Sequence, residues 1–326
     1  MLKPFLARNW FVISLPTVVL LAWAIPSVGA NGGPLHPEVF TRWGVAAIFL
    51  AQGLTLPVAA LRKGAGKWKL HLLVQAFTFL IFPLIGIGLD WAVGRHLPPD
   101  LRLGFLFLCV LPSTVSTSVV LTGLAGGNTV GAIFNAALSN VLGVFATPLW
   151  VAWLMEKGGQ AQPMGQVLRD IVLLLLLPLG IGQLLRLGVS AWADRWKKAL
   201  GNACSGLILF LVFAAFCNSV QQGLWQAYPP GLFVGTALGV GAILALAIAL
   251  VGGLARLAAL DRPDRIAATF CAPQKTIASG IPLAKAIFGT HPGLGLILLP
   301  ILLYHPLQLL VCGVLADRFA RSKPMA

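Results

Sequence analysis

Runs of about 20 mainly apolar residues recur along almost the whole chain, and no other feature of the sequence restricts its fold as strongly. A segment that crosses a bilayer must satisfy its backbone hydrogen bonds internally, as a helix does. Hydrophobic residues make up 58% of the chain, charged residues 10%, and the mean hydropathy is +0.89. A water-soluble domain of this composition would have too little polar surface. The sequence therefore predicts an all-α polytopic membrane protein.

The apolar runs predict about ten transmembrane helices. Their approximate bounds are residues 10–29, 45–61, 70–93, 101–124, 129–154, 171–187, 204–220, 232–254, 266–289 and 294–315. Residues 190–198 (SAWADRWKK) alternate tryptophan with basic residues, which predicts a short helix in the membrane interface. A cleaved signal peptide is the alternative for the first run, which we expect to be retained because it is longer than a typical signal sequence.

Lysine and arginine residues orient the predicted spans. With the N-terminus inside, most of them fall in inner segments, such as the loop with Arg62, Lys63, Lys67 and Lys69. Positive residues favour the cytoplasmic side, so we expect an inner-membrane protein with both termini in the cytoplasm. These positions also account for the net charge of +14, and no nucleic acid partner is expected. The five cysteines lie in apolar runs, as small buried hydrophobic residues do, and imply no disulfide framework.

Residues 266–289 contain a polar interruption that a lipid-facing helix does not tolerate. Pro273 lacks a backbone N–H and disrupts the preceding helical turn. Gln274 and Thr276 need hydrogen-bond partners, and Lys275 carries a charge that costs about 3 kcal/mol or more at the bilayer centre. Broken helix and polar groups occur at this depth only against protein or a wet cavity, so we expect half of a transport site here.

Pro112 begins a matching interruption, LPSTVSTSVVLTGLAGG, about half a chain length before Pro273. Each proline is followed by polar residues, small residues, a turn and one more long span. Five spans per half is an odd number, so the second half must run inverted to the first. We predict two inverted five-helix repeats, residues 1–160 and 161–326, whose broken fourth and ninth helices meet. Paired interruptions indicate a transporter site, and two simple proline kinks are the alternative.

The candidate site residues are polar side chains near the two breaks. Neutral oxygens that suit Na⁺ come from Gln75, Thr114, Ser116, Thr117, Ser118 and Gln274, with Thr276 in the same cluster. Asn135, Ser139 and Asn140 face either the crossing or a neighbouring helix.

Lys275 is the one charged residue that we place near mid-membrane, because all nine acidic residues map to span ends or loops. This favours an anionic substrate. Burial disfavours a charged lysine, so Lys275 could also exchange a proton; snorkelling, or structural capping of carbonyls, is the alternative. Lys285 is expected to snorkel, and His305 to be a hydrogen-bonded histidine at a kink.

Three segments carry a resemblance to a known family: residues 61–83 (LRKGAGKWKLHLLVQAFTFLIFP), 111–148 (LPSTVSTSVVLTGLAGGNTVGAIFNAALSNVLGVFATP) and 271–288 (CAPQKTIASGIPLAKAIF). The chain resembles the bile acid:sodium symporter (BASS) superfamily, in particular the SBF-like branch that includes sodium/bile acid cotransporter 7. The resemblance covers nearly the whole chain. It implies a panel domain (helices 1, 2, 6 and 7), a core domain (helices 3–5 and 8–10), crossing broken helices 4 and 9, and substrate in the crevice between the domains.

The resemblance also implies two sodium sites, which this chain matches unequally. At the first site the matching positions are Thr117, Ser118, Ala132, Ala136 and Phe270, which lack the family's acid and most of its side-chain ligands. At the second site the matches are Gln75, Cys271, Pro273 and Gln274, and these are retained. Lys275 stands where the family usually has asparagine and could replace the missing cation. We expect one Na⁺, or proton coupling through Lys275, and no other cofactor.

The sequence thus favours a secondary transporter of a small organic anion that works by alternating access, with a monomer favoured. A non-transporting or regulatory membrane protein of the same fold is the main alternative, because the missing sodium ligands are compatible with lost transport. A channel fits the paired breaks less well. A membrane-embedded enzyme would need clustered catalytic groups, whereas the five histidines are scattered and residues 64–67 do not fit a P-loop.

Overall fold

The computed structural model of the protein describes residues 10–55, 66–157, 169, 172–289 and 291–322. These residues form helices joined by turns, and no strand occurs among them. The α-helices are α1 (Trp10–Ala24), α2 (Pro26–Gly29), α3 (Pro37–Thr55), α4 (Trp68–Ala76), α5 (Phe82–Val93), α6 (Pro99–Val110), α7 (Ser116–Leu124), α8 (Thr129–Lys157), α9 (Leu177–Gln221), α10 (Gly231–Leu257), α11 (Arg262–Cys271), α12 (Ile277–Phe288) and α13 (Leu294–Arg321). A π-helical turn, Phe77–Ile81, joins α4 to α5, and another, Val172–Leu176, precedes α9.

Five helical runs in the described part of the chain are long and apolar enough to cross a membrane. They are Trp68–His96, Thr129–Leu154, Val172–Gln221, Gly231–Leu257 and Leu294–Arg321. Two shorter apolar helices, Ile13–Ala24 and Ile277–Phe288, accompany them. The prediction of an all-α membrane protein is therefore confirmed, whereas the number of spans and the inverted repeat remain predictions.

The predicted fourth and ninth spans are each divided into two helices. α6 ends at Val110, and Leu111 is extended (φ −69°, ψ 151°) because a residue before proline disfavours the helical conformation. The second break separates α11 from α12 over residues 272–276. There, Thr276 Oγ1 accepts the backbone N–H of Ala278 at 3.1 Å and so caps the start of α12.

The structure differs from the sequence prediction at α3 and α9. α3 begins at Pro37 and not near residue 45, because a proline and Glu38 in its first turn favour a helix start that the apolar count misses. The predicted interfacial helix and seventh span are not separate elements, since α9 continues through both. Val189 (φ −120°, ψ 25°) is not helical and marks a kink, which separates the helix of the sixth predicted span from the helix that continues through residues 190–221.

The chain divides into two compact units. The first comprises residues 1–56, 161–232 and 281–299. In it, α3 and α9 pack closely at two glycines: a Cβ added to Gly182 would lie 3.0 Å from the Cα of Gly53. Gln183 Nε2 also donates to the Gly53 carbonyl at 2.6 Å. Glycines permit this close backbone approach between membrane helices.

The second unit comprises residues 57–160, 233–280 and 300–326, and it contains both helix breaks. Its apolar cluster is formed by the buried side chains of Ala125, Ile266, Phe270, Cys312 and Ala316. This cluster joins α11 and α13 to the turn after α7, and so fixes the helical half that precedes the second break. The predicted boundary between the repeats, near residue 160, lies outside the described residues.

Candidate functional site

The two helix breaks contact each other directly. The Thr276 N–H donates to the Pro112 carbonyl at 3.1 Å, and Ser113 Oγ donates to the Cys271 carbonyl at 2.5 Å. Prolines at both breaks remove backbone donors, so carbonyls there need partners from outside their own helix. The hydrogen bonds between the breaks supply some of these partners.

Gln274 is fully buried and contacts two of the predicted site threonines. Its Oε1 accepts from Thr114 Oγ1 at 2.6 Å and from Thr117 Oγ1 at 2.9 Å. Its Nε2 is buried without a hydrogen-bond partner among the described residues. Rotating this amide by 180° would exchange the two atoms, and both hydroxyls could then accept from the nitrogen. Gln274 is therefore hydrogen-bonded to these threonines in either orientation of its amide group.

Gln75, on α4, forms a second polar group with Asn135 of α8. Its Nε2 donates to the backbone carbonyl and to the Oδ1 of Asn135, both at 3.1 Å. Asn135 Nδ2 lies 3.0 Å from His71 Nδ1. The Oε1 of Gln75 is buried without a hydrogen-bond partner among the described residues. A buried oxygen of this kind costs about 1–3 kcal/mol, which a bound cation would offset.

Ser139 and Asn140 of α8 hold the first break in place. Ser139 Oγ accepts the Ser113 N–H at 2.9 Å, and Asn140 Nδ2 donates to the Ser113 carbonyl at 3.0 Å. The Oδ1 of Asn140 accepts from Ser279 Oγ, on α12, at 2.9 Å. The sequence allowed these side chains to face either the crossing or a neighbouring helix, and in the structure they face the crossing.

The remaining predicted positions make fewer contacts with the two breaks. Ser116 is exposed at the start of α7, and Ser118 Oγ donates to the carbonyl of Thr114, which precedes that helix, at 2.6 Å. Phe270 belongs to the apolar cluster. Ala132 contacts the second break only through its carbonyl, 3.8 Å from Cys271 Sγ.

Lys275 is fully buried, with 0% of its surface exposed. Its Nζ donates to the carbonyl oxygens of Leu111 at 2.7 Å, Cys109 at 3.1 Å and Thr78 at 3.4 Å. We call these three oxygens the carbonyl cage. The same nitrogen lies 4.0 Å from the centre of the Phe82 ring. The ammonium therefore caps carbonyls inside the protein and is not exposed at its surface.

Three residues of α13 that were not predicted to be site residues hold the second break. Gln308 Oε1 accepts the backbone N–H of Lys275, and its Nε2 donates to the Lys275 carbonyl, both at 2.8 Å. The same Nε2 lies 2.9 Å from His305 Nδ1, so this histidine is hydrogen-bonded as expected. Tyr304 OH donates to the Pro273 carbonyl at 2.7 Å. The sequence does carry a signal for these three residues: they are polar, they lie in an apolar helix, and their spacing of i, i+1 and i+4 places the first and third on one face.

The residues that are predicted to bind Na⁺ offer both free and occupied oxygens. Gln75 Oε1 is unpartnered. The carbonyls of Cys271 and Pro273 each accept one hydroxyl, from Ser113 and Tyr304, and retain a second lone pair. Carbonyl and amide oxygens of this type suit a hard monovalent cation. Among the described residues, no cluster of histidine, cysteine or carboxylate side chains could hold a transition metal.

The start of α11 is fixed by an ion-pair cluster outside the apolar spans. Lys67 Nζ lies 3.0 Å from both Asp261 Oδ2 and Asp264 Oδ2. Asp261 also accepts the Asp264 N–H at 2.9 Å, as a helix N-cap does. This backbone hydrogen bond, together with Lys67, lowers the pKa of Asp261. Hydrogen bonds to Asp261 and Asp264 raise the pKa of Lys67.

The model of the SBF-like CPA transporter family matches residues 9–321 of this chain. An uncharacterized protein of Pseudomonas aeruginosa is 39% identical over 323 residues, which cover 99% of this chain and 96% of that protein. The Escherichia coli protein YfeH is 36% identical over 321 residues, 98% of this chain and 96% of YfeH. Sodium/bile acid cotransporter 7 of Rattus norvegicus is 31% identical over 311 residues, 94% of this chain and 91% of that protein.

Proposed function

We propose that this chain, which belongs to the SBF-like CPA transporter family, is a secondary active transporter that carries a small organic anion across the membrane. The family is one of transporters and not of enzymes, so the expectation that the chain is not an enzyme is confirmed. The observation that carries the anion proposal is the buried Lys275 ammonium beside two broken helices.

The charge distribution supports an anionic substrate. The ion pairs found in the described part of the chain join groups other than Lys275, such as Arg186 with Asp194 and Arg321 with Asp317. Carbonyl dipoles surround the Lys275 ammonium but carry no net charge. A buried positive charge without a carboxylate partner attracts an anion to the polar region of the breaks.

We further propose alternating access by ten helices in two inverted repeats, with panel and core domains. The matching positions of the two breaks support this proposal, because such pairs are typical of transporters with inverted repeats. One compact unit contains residues 57–160 and 233–280, as a core domain made of both halves requires, whereas residues 281–299 of predicted helices 9 and 10 belong to the other unit.

For coupling we propose one Na⁺, bound by Gln75, Gln274 and the backbone carbonyls of Cys271 and Pro273. The unpartnered Gln75 Oε1 supports this site. The name of the rat relative describes a sodium-coupled protein, and the coupling ion is transferred here as part of the proposal. Proton coupling through Lys275 is the second candidate, favoured by complete burial of an ionisable side chain.

Uptake by reconstituted proteoliposomes tests the function. Labelled organic anions, with sulfonates and carboxylates of different size, are supplied with an inward gradient of Na⁺, K⁺ or protons. We expect uptake driven by Na⁺ that Gln274→Ala reduces at least tenfold, while Ser116→Ala, at an exposed position, leaves it unchanged. Uptake that is driven by protons alone and is lost in Lys275→Ala would instead support proton coupling and contradict sodium coupling.

Absence of uptake for every anion and every gradient would contradict the transport proposal. The regulatory alternative would then be preferred, since it needs the fold without a transport cycle. Channel activity would appear instead as ion current that does not saturate with substrate concentration.

A further inference from the structure

We propose that the carbonyl cage is a monovalent-cation site, and that the Lys275 ammonium is its permanent occupant. The cage consists of the Thr78, Cys109 and Leu111 oxygens, at 3.4, 3.1 and 2.7 Å from Nζ. It is distinct from the proposed Na⁺ ligands. The inference concerns binding, and it rests on the proposed function only for its consequence in transport.

A π-helical turn and a proline free the first carbonyl. The Phe82 N–H donates to the Phe77 carbonyl, one residue further back than in an α-helix, and so does not reach Thr78. The next residue, Pro83, has no N–H to donate. The Thr78 carbonyl therefore has no donor from its own helix, and Lys275 Nζ is its partner.

Pro112 frees the second and third carbonyls. Cys109 stands three residues before Pro112, which has no N–H, and the following Ser113 N–H donates to Ser139 Oγ at 2.9 Å. Leu111 is extended, so its carbonyl lies beyond the hydrogen-bonded part of α6. The C-terminal end of a helix also carries partial negative charge, which stabilises a cation placed there.

In contrast to the cage carbonyls, two other backbone carbonyls near the same prolines accept hydrogen bonds from uncharged side-chain donors. The Phe79 carbonyl accepts the Trp150 indole N–H at 2.9 Å, and the Val110 carbonyl accepts the Thr147 hydroxyl at 2.7 Å. The chain therefore has hydroxyl and indole donors within reach of this region. The three cage oxygens receive an ammonium instead, which carries a full charge.

The geometry is that of a cation site. Three carbonyl acceptors match the three N–H donors of a protonated lysine, which has no acceptor of its own. The Phe82 ring closes another side at 4.0 Å, where the ring face favours positive charge. Backbone carbonyl oxygens alone hold dehydrated K⁺ in potassium channels, so a cage of this kind needs no carboxylate.

The consequence for transport follows from the covalent stem. A cation that is part of the side chain cannot dissociate during a transport cycle, so this position contributes charge without consuming an external ion. As long as Lys275 is protonated, its positive charge stays beside the breaks, where its field attracts an anionic substrate without direct contact. The cage then accounts for why the chain needs at most one exchangeable sodium.

Cation rescue of a truncated lysine tests the cage. Lys275→Ala removes the side chain beyond Cβ, and the missing piece has the size and donors of n-propylammonium. Melting temperatures of the purified protein are measured in n-propylammonium, Na⁺, K⁺ and tetramethylammonium chlorides at equal ionic strength. We expect n-propylammonium to raise the melting temperature of the variant by about 2–4 °C relative to tetramethylammonium, which has no N–H donor.

Wild-type protein and Lys285→Ala are the controls, and neither should distinguish n-propylammonium from tetramethylammonium. Lys275→Ser, which keeps a small donor at the site, is measured alongside Lys275→Ala. Recovery of either variant only when n-propylammonium is present during purification supports the cage. Equal melting temperatures of both variants in all four salts, or recovery of neither variant with or without n-propylammonium, would overturn it. These readouts do not use uptake, so they separate failure of the cage from failure of the transport proposal.

Discussion

Gln308 is the residue whose side chain most directly fixes the second break. Its amide satisfies both backbone groups of Lys275, at 2.8 Å each, and it is completely buried. A residue beside a broken helix has backbone groups with no helical partners, and each one left unpaired in a buried position costs about 1–3 kcal/mol. The ammonium of Lys275 is therefore aimed at the carbonyl cage partly by a side chain of α13.

Gln308→Leu is expected to lower the melting temperature by roughly 4–8 °C, because two buried backbone groups lose their partners. Thermal unfolding in detergent, followed by intrinsic fluorescence, measures the change. Gln222→Leu, at the exposed end of α9, is the matched control and should shift the melting temperature by less than about 1 °C. A Gln308→Leu protein as stable as wild type would show that the break is held by other contacts.

At the scale of elements, the close packing of α3 on α9 depends on two glycines, which have no side chain beyond Cα. Gly53 and Gly182 bring the two backbones together, and a Cβ at either would meet backbone atoms of the other helix. Backbone cannot move aside as the end of a flexible side chain can, so even a small residue forces the helices apart.

Gly182→Val should therefore destabilise the protein by about 1–3 kcal/mol, which corresponds to a fall of several degrees in melting temperature. Gly180→Val is the control on the same helix, since a Cβ there meets nothing within 4 Å. The comparison of the two melting curves removes the common effect of replacing glycine by valine in a helix. Equal curves for the two variants would contradict the close contact of α3 and α9.

The start of α11 should make stability depend on pH at both extremes. The pKa of Asp261 is lowered from 3.8, so its stabilisation is present above the unfolded-state value and is lost as the pH falls through the folded-state value. The pKa of Lys67 is raised from 10.5, so its contribution is present below that value and is lost as the pH rises through the folded-state value.

Asp261→Asn keeps a side-chain oxygen for the N-cap and removes the charge. We expect this variant to melt slightly below wild type between about pH 5 and pH 9, with the difference shrinking below about pH 4. Melting temperatures measured in steps of half a pH unit test this expectation. A difference that stays constant down to pH 3 would mean that the charge of Asp261 does not contribute.

At the scale of the whole molecule, family membership and helix content agree on a multi-pass membrane protein. The proposed topology, with an even number of spans and both termini in the cytoplasm, is a further step that the lysine and arginine distribution supports. The terminal residues Lys3, Arg8 and Lys323 that contribute to it lie outside the described part of the chain.

Reporter fusions test this topology in bacterial cells. Green fluorescent protein, which matures in the cytoplasm, should fluoresce when fused to either terminus, whereas alkaline phosphatase fused at the same positions should remain inactive. Phosphatase activity at only one terminus would indicate an odd number of spans. Such a result would remove the inverted five-helix repeat from the proposed function.

The sequence by itself determined the membrane class and the positions of the two breaks. Apolar runs of membrane length allow little besides transmembrane helices, and Pro112 and Pro273 cannot continue an α-helix without loss of a hydrogen bond. The resemblance stated from three segments is confirmed by the family match over residues 9–321. These properties are local, because they depend on a residue and its near neighbours along the chain.

Only the tertiary structure decided which groups meet at the breaks. Lys275 donates to the carbonyls of Cys109 and Leu111, more than 160 residues away along the chain, and its roles in anion binding and proton exchange stay predictions. Thr78 carries no local signal that separates it from other polar residues in apolar helices, and the only signal at Gln308 is its spacing from Tyr304 and His305. Their roles arise only in the folded protein. Prolines leave backbone groups without helical hydrogen bonds, and folding brings these groups close to polar side chains from distant parts of the chain. Because water is excluded there, a polar group without such a partner would be costly.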